Sequence, residues 1–172
     1  LGDVYKRQGV KFGIVGGIAH PQINNDSVRR VPKIWANTPS QFISYVSCHD
    51  DLCLTDRLKV TLSGASVPEL KALQKLAETA VFTSQGVPFI FAGDEILRDR
   101  KGVVNAYNKP DEINAIDWRN KTAYREVFDY VRGLIAMRKA HPAFRMGNAD
   151  LIRKHLEFIH VQATNVVVFR IK

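Results

Sequence analysis

Two short apolar runs, each ending in acidic residues and separated by a helical pattern, constrain this chain more than any other feature. The first, Ile43-Ser44-Tyr45-Val46, alternates like a half-buried strand and stops at Ser47-Cys48-His49-Asp50. The second, Val87-Pro88-Phe89-Ile90-Phe91, follows Gly86 and leads through Ala92 to Gly93-Asp94-Glu95. Residues 69–84 between them read as a helix preceded by Pro68, with Leu70, Leu73, Leu76, Ala77, Ala80 and Val81 on one apolar stripe and Gly86 as its stop. Strand, long loop, helix, strand is the order of a βαβ unit, so strands at 41–47 and 87–91 are expected to pair in parallel. Parallel α/β folds bind their ligands at the carboxyl ends of the strands. His49, Asp50, Asp94 and Glu95 are therefore expected to meet in a polar, loop-built site, as in part of an enzyme.

The rest of the chain divides around this unit. Residues 9–37 are rich in Gly and polar side chains and read as loops with at most short structure. Residues 98–118 form a long loop dense in Asn, Asp, Gly and Pro, and loops of that length in compact domains usually serve function. A second helix is expected from about Thr122 to Ala140, with Val127, Phe128, Val131, Leu134 and Ile135 on one face and Arg138, Lys139 and Pro142 marking its end. After Gly147 the pattern becomes strand-like over 151–171, with a turn at Thr164-Asn165. A β-only tail after βα units marks the start of a second domain. The expected organisation is thus 9–146 and 147–172. Asp3 to Gln8 look like the translation of a transposon end used to fragment DNA for sequencing, so residues 1–8 are set aside, and Leu1 is not expected to be a natural start.

Charge excludes some classes of function. The formal net charge is +8, yet residues 9–118 are balanced and the excess sits in residues 119–172, which carry eleven basic and four acidic side chains. That region has neither the interleaved aromatics of a single-strand binder nor a finger or helix-turn-helix spacing, so no nucleic-acid partner is expected. No apolar run approaches the roughly 20 residues that span a bilayer, so no membrane partner is expected either. Cys48 and Cys53 match no redox or zinc spacing, read as packing residues and leave the compartment open.

Taken in order, these motifs resemble the α-amylase superfamily, glycoside hydrolase family 13, and within it the type I pullulanase group of debranching enzymes. The run from Tyr45 to Asp50 resembles the family's conserved region at the end of barrel strand seven, and Gly86 to Glu95 resembles its strand-eight motif. Residues 105–118, from Asn105-Ala106-Tyr107-Asn108 through Asp111 to Asp117-Trp118, resemble the loop that follows in debranching enzymes. His141-Pro142-Ala143-Phe144-Arg145 resembles the end of the last barrel helix. The resemblance implies an α/β fold: the C-terminal part of a (β/α)8 TIM barrel, strands seven and eight, followed by the start of a β-sandwich. It implies a retaining glycosidase acting on α-1,6 linkages of pullulan, starch or glycogen, whose nucleophile and acid/base, about 5 Å apart, come from strands four and five. Neither of those strands matches anything in this sequence, so the chain reads as a fragment lacking both groups.

In that resemblance Asp50 is the third catalytic carboxylate, a transition-state stabiliser, and His49 contacts the sugar at the point of cleavage. Asn105, Tyr107, Asn108 and Asp111 become candidate glucan contacts, and Asp51, Asp94 and Glu95 candidate supports behind them. The family usually carries Asn where Asp51 stands. An extra acid there either raises the Asp50 pKa by repulsion or points away from it. The implied ligand is a branched α-glucan polysaccharide or oligosaccharide, the intact enzyme is expected to be monomeric, and no cofactor is called for, a structural calcium being left open. Other readings remain: an isoamylase or glycogen debranching enzyme, a non-catalytic carbohydrate-binding fragment, or a His-Asp metal pair of the kind found on helices of metal phosphohydrolases. Asp50 could also merely cap a turn, and the 105–111 loop could be held by its own Asn and Asp side chains.

Overall fold

The structure, a computed structural model, describes residues 2–28, 34–162 and 165–172, with side chains from residue 6 onward. In chain order its elements are α1 (Gly2–Ile14), β1 (Ile43–Ser44), α2 (Leu54–Thr61), α3 (Val67–Thr83), β2 (Val87–Pro88), α4 (Asp111–Asn114), α5 (Asn120–Ala123), α6 (Arg125–Ala140), α7 (Ala149–His155), β3 (Leu156–Ile159) and β4 (Val168–Ile171), with short 3-10 turns between. They gather into two compact units. One holds residues 1–44, 83–88 and 138–172; the other holds 45–82 and 89–137. None of the described helices is long and apolar enough to cross a membrane.

In the first unit β1 and β2 pair in parallel, Ile43 opposite Val87 and Ser44 opposite Pro88, as the βαβ order predicts. The regular pairing is shorter than the expected 41–47 and 87–91. Pro39–Gln41 is a 3-10 turn before β1, and Pro88 has no N–H with which to extend the ladder on its side. Gly86 enters β2 at φ +91°, where a Cβ would lie 2.8 Å from the Phe42 carbonyl oxygen, so this position admits only glycine without strain. Arg138, buried near the end of α6, donates to the carbonyls of Ser84 at 2.6 Å and Gly86 at 2.9 Å and so satisfies backbone that the short strands leave unpaired.

The core of this unit corrects two expectations. Residues 9–14 are not loop but the end of α1, and residues 2–8, set aside above, form its beginning. Phe12, Ile14, Val15 and Ile18 pack with Ile152, Leu156 and Phe158. Residues 151–155 are not strand but belong to α7, capped by the Asn148 side chain on the N–H groups of Asp150 and Leu151. The β-hairpin begins only at Leu156, with Leu156 opposite Ile171 and Phe158 opposite Phe169. Of the expected Thr164-Asn165 turn, Thr164 lies outside the described residues. Gln22 pairs twice with the Phe158 backbone, donating to its carbonyl at 2.9 Å and accepting its N–H at 2.8 Å.

The second unit is built on α2, α3 and α6. Helix α6 follows its predicted stripe, with Val127, Val131 and Leu134 buried. Helix α3 begins at a capping box: the Glu69 carboxylate accepts the Ser66 N–H at 2.7 Å, and the Ser66 hydroxyl lies 3.4 Å from the Glu69 N–H. Its buried face overlaps the predicted stripe only in part, at Leu70 and Val81. Leu76 is exposed, while Leu70, Gln74 and Glu78 point inward at i, i+4 and i+8, the last two with no exposed surface. The expected long loop before α3 also contains α2. Buried polar side chains on a helix need a reason, and the reason lies at the site.

Candidate active site

The site is assembled in the second unit from three segments: 45–56, 91–102 and 105–114. Tyr45 and Phe89 leave the strand region with their rings 6.1 Å apart in a T-shaped contact. Two residues beyond Tyr45 the chain turns inward at Ser47, which is buried and donates its hydroxyl to Asp94 Oδ2 at 2.5 Å. It then turns outward, leaving the His49 and Asp50 side chains 78% and 82% exposed, with Nε2 3.5 Å from Oδ1. Of the two segments, the contact formed is the buried Ser47–Asp94 bond, while the His49–Asp50 pair is exposed and makes no hydrogen bond to Asp94 or Glu95 among the described residues. The pair lies on a loop between β1 and α2 and not on a helix, and among the described residues no group of three or more His, Cys, Asp or Glu side chains is arranged to hold a metal ion.

Asp51 has φ +59°, in the left-handed region that Asn and Asp tolerate best among residues with a side chain. Its carboxylate accepts the Leu52 N–H at 2.8 Å and pairs with Arg57, and these contacts, the backbone one first, lower its pKa. The Asp51 carboxylate is directed to Arg57.

A layer of residues that the sequence did not single out holds these loops. Asp56, on the first turn of α2 and buried, accepts the backbone N–H of Arg100 at 2.7 Å and of Gly102 at 3.0 Å. The Arg100 guanidinium in turn donates to the His49 carbonyl at 2.6 Å. Arg98 donates to the carbonyls of Ala92 at 2.9 Å and Asn114 at 2.5 Å, and both guanidinium groups lie over the Phe91 ring, at 4.7 and 4.9 Å from its centroid. Leu97 and Lys101 adopt φ +55° and +53°, so with Asp51 the three described non-glycine residues at positive φ all border this site. Such strain persists where surrounding contacts over-determine the backbone, which is common at functional sites. The Cys53 thiol lies 3.0 Å from Asp56 Oδ2 and 3.2 Å from the Arg98 carbonyl, and burial together with Asp56 pushes it up to about 12. It is a packing thiol, inert at neutral pH.

Asp94 has no exposed surface, and burial, the largest influence on it, raises its carboxyl to about 6 against the opposing Ser47 hydroxyl. Glu95 is half-buried and accepts the Gly93 N–H at 2.9 Å, a closed local contact. The sequence pattern does not separate the two; the structure makes Asp94 the anchor and Glu95 a turn residue. Asn105, Tyr107, Asn108 and Asp111 are all exposed, Tyr107 at 89%. Their loop is fastened by Asn114, whose side-chain amide donates to the carbonyls of Ala106 at 2.6 Å and Lys109 at 2.8 Å. Asp111 also lines a polar cavity with Arg98, Asp99, Lys101, Glu112 and Arg119. Among the described residues, no hydrogen bond joins the 105–111 side chains to His49 or Asp50.

No protein-family model matches the chain. Pullulanase of Bacillus subtilis (strain 168) is 38% identical over 171 residues, covering 99% of the chain and 22% of that enzyme. The apo structure of pullulanase from Paenibacillus barengoltzii matches with a TM-score of 0.85 at 41% identity, over 95% of the chain and 24% of that structure. The complex of that enzyme with maltohexaose and α-cyclodextrin matches with a TM-score of 0.84 at 39% identity, over 97% and 25%. Isoamylase of Flavobacterium sp. is 36% identical over 85 residues, covering 49% of the chain and 11% of that enzyme. The chain spans between a fifth and a quarter of the length of the Bacillus subtilis and Paenibacillus barengoltzii pullulanases. By sequence and by fold the chain is homologous to one part of these pullulanases.

Proposed function

We propose that this chain is part of a debranching glycoside hydrolase that cleaves α-1,6-glucosidic linkages in pullulan, starch or glycogen by a retaining mechanism. One observation carries the reading: an exposed His49–Asp50 pair projects from a loop anchored beneath by Ser47 and braced by Arg100. Glycoside cleavage passes through an oxocarbenium-like transition state that flattens the ring and gathers positive charge at the anomeric carbon. An ionised Asp50 accepts hydrogen bonds from sugar hydroxyls that strengthen along this path, and His49 donates to a neighbouring hydroxyl. Groups fixed before the reaction contribute most, because they need not reorganise as charge develops. The nucleophile and the acid/base of such a mechanism belong to barrel strands four and five, outside these 172 residues, and the chain by itself is expected to have no turnover.

The finer fold follows the same reading. Here β1 and β2 are barrel strands seven and eight, residues 9–146 are the C-terminal part of the (β/α)8 barrel, and residues 147–172 begin a β-sandwich. The parallel register of β1 with β2 and the antiparallel register of β3 with β4 support this division. The exposed ring of Tyr107 offers a face to a glucose ring, with Asn105, Asn108 and Asp111 as polar contacts. The complex of a pullulanase with maltohexaose and α-cyclodextrin supports an α-glucan ligand. The isoamylase match reaches only half as far along the chain as the pullulanase match, which favours pullulan over glycogen as first substrate.

The test is an assay of the full-length protein carrying this chain on pullulan and on glycogen, beside its Asp50→Asn variant. Reducing-sugar release that the variant loses while still binding maltohexaose is the expected result. Glucan binding without turnover in the wild type would point to a carbohydrate-binding protein, and neither binding nor turnover would remove the reading.

A further inference from the structure

Beneath the His49–Asp50 loop lies a polar cluster that the proposed reaction leaves unused. Asp94 Oδ2 accepts the Ser47 hydroxyl at 2.5 Å, while Oδ1 has no hydrogen-bond partner among the described residues. From α3, Gln74 donates to the Asp94 carbonyl at 2.8 Å. One helical turn further on, Glu78 has no exposed surface and neither of its carboxylate oxygens finds a partner. The titratable and charged groups that face Asp94 are Glu78 from α3, Glu95 from its own turn, the Cys53 thiol before α2, and Arg98. Arg98 is the one cation among them, and its guanidinium donates to backbone carbonyls and not to the carboxylate.

Nothing in this arrangement serves packing well. A buried carboxylate with a free oxygen, next to a second buried carboxylate, is destabilising compared with apolar residues of the same size. Its one geometric product is the bond to Ser47, and Ser47 is two residues from His49 and three from Asp50. A buried hydroxyl has no water to fall back on, so losing its acceptor releases the turn from which the exposed pair projects. We propose, on the glycosidase reading above, that Asp94 is the positioning residue for His49 and Asp50, acting through Ser47. An ionised acceptor makes a bond about twice as strong as a neutral one. Glu78, raised to about 8 by burial and by Asp94 and Glu95, stays neutral at pH 7 and leaves the charge to Asp94. Asp94 itself gains its proton near 6, so the bond weakens as pH falls through that value.

The experiment uses the full-length protein with Ser47→Ala, Ser47→Thr, Asp94→Asn and the Ser47→Ala/Asp94→Asn double variant. It measures kcat and KM on pullulan from pH 4.5 to 8, with thermal unfolding as the folding control. Ser47→Ala and Asp94→Asn are each expected to lower kcat about 10- to 100-fold, as small misplacements of reacting groups do, while KM moves by less than about threefold. The double variant should be no worse than the poorer single one, because both break the same bond. Ser47→Thr keeps a hydroxyl and most of kcat, and in Asp94→Asn the acid limb of kcat shifts to lower pH. Multiplicative losses in the double variant, or a lower melting temperature with kcat and the acid limb unchanged, would overturn the inference. If Asp94→Asn does not fold, the contrast between Ser47→Ala and Ser47→Thr decides: equal kcat in the two sinks it. A wild type without turnover on pullulan removes the glycosidase reading itself, whereas an active wild type with unaffected variants removes only the role of Asp94.

Discussion

Asp56 accepts the Arg100 backbone N–H at 2.7 Å, and Arg100 passes the constraint on by donating its guanidinium to the His49 carbonyl at 2.6 Å. One carboxylate on the first turn of α2 thus fixes both the 98–102 loop and the backbone of the exposed His-Asp pair. Replacing Asp56 by Ala leaves the backbone N–H groups of Arg100 and Gly102 without their acceptor inside the protein. Asp56→Ala is expected to cost about 2–4 kcal/mol of stability, read as a lower urea midpoint in the full-length protein. An unchanged midpoint would show that Asp56 does not brace the loop.

Asp50 and Asp51 are adjacent acids with opposite expected sensitivities. Asp50→Asn keeps the size of the side chain and loses the charge, so kcat on pullulan should fall about 100-fold or more with circular dichroism unchanged. Asp51→Asn keeps a residue that tolerates φ +59° and gives up an exposed pairing with Arg57, so its effect should be small. Asp51→Val, a β-branched residue forced to positive φ, should be the more destabilising substitution at this position. A Asp51→Asn variant more damaged than Asp50→Asn would transfer the catalytic role.

The sign of the pH dependence at Glu78 follows from its pKa, raised from 4.5 to about 8. Folding then takes up a proton wherever the unfolded chain would already have lost it. Its unfavourable contribution is absent below pH 4.5, grows as pH rises, and is complete above about 8. Wild-type stability should therefore decline between pH 6.5 and 8.5, above the Asp94 transition, and Glu78→Gln should flatten that decline, with a difference of a few kcal/mol at the alkaline end. Urea unfolding at several pH values checks this, and parallel curves for the two proteins would contradict it.

Tyr107 is the most exposed aromatic side chain described, so its removal carries little cost in packing. Tyr107→Ala should leave the melting temperature unchanged and weaken maltohexaose binding about 3- to 10-fold, the scale of one aromatic contact. Calorimetric titration checks this; equal affinities would return the 105–111 loop to a purely structural role.

Local pattern was enough for α6, whose stripe of Val127, Val131 and Leu134 is buried as its periodicity requires, and for the parallel pairing of β1 with β2, which the strand-helix-strand order imposes. It also singled out His49 and Asp50 as candidates, because a strand that stops at polar residues is legible without neighbours, and both are exposed. It could not find α1 or the entry of residues 149–155 into a helix, although Asn148 before Asp150, with Arg153, Lys154 and His155 in the last turn, is a capping and charge signal for α7. Periodicity found only part of the buried face of α3, Leu70 and Val81. Its apolar count favours the stripe through Leu76, whereas the packed structure buries Gln74 and Glu78, because the Asp94 carbonyl and the turn around it need a donor and fill that side. The roles of Asp56, Arg98, Arg100 and Asn114 depend on backbone groups up to 51 residues distant in the chain. Side-chain chemistry that acts within a few residues can be read along the sequence; a hydrogen bond to a distant carbonyl exists only once the fold has brought that carbonyl near, and that is what the tertiary structure decided.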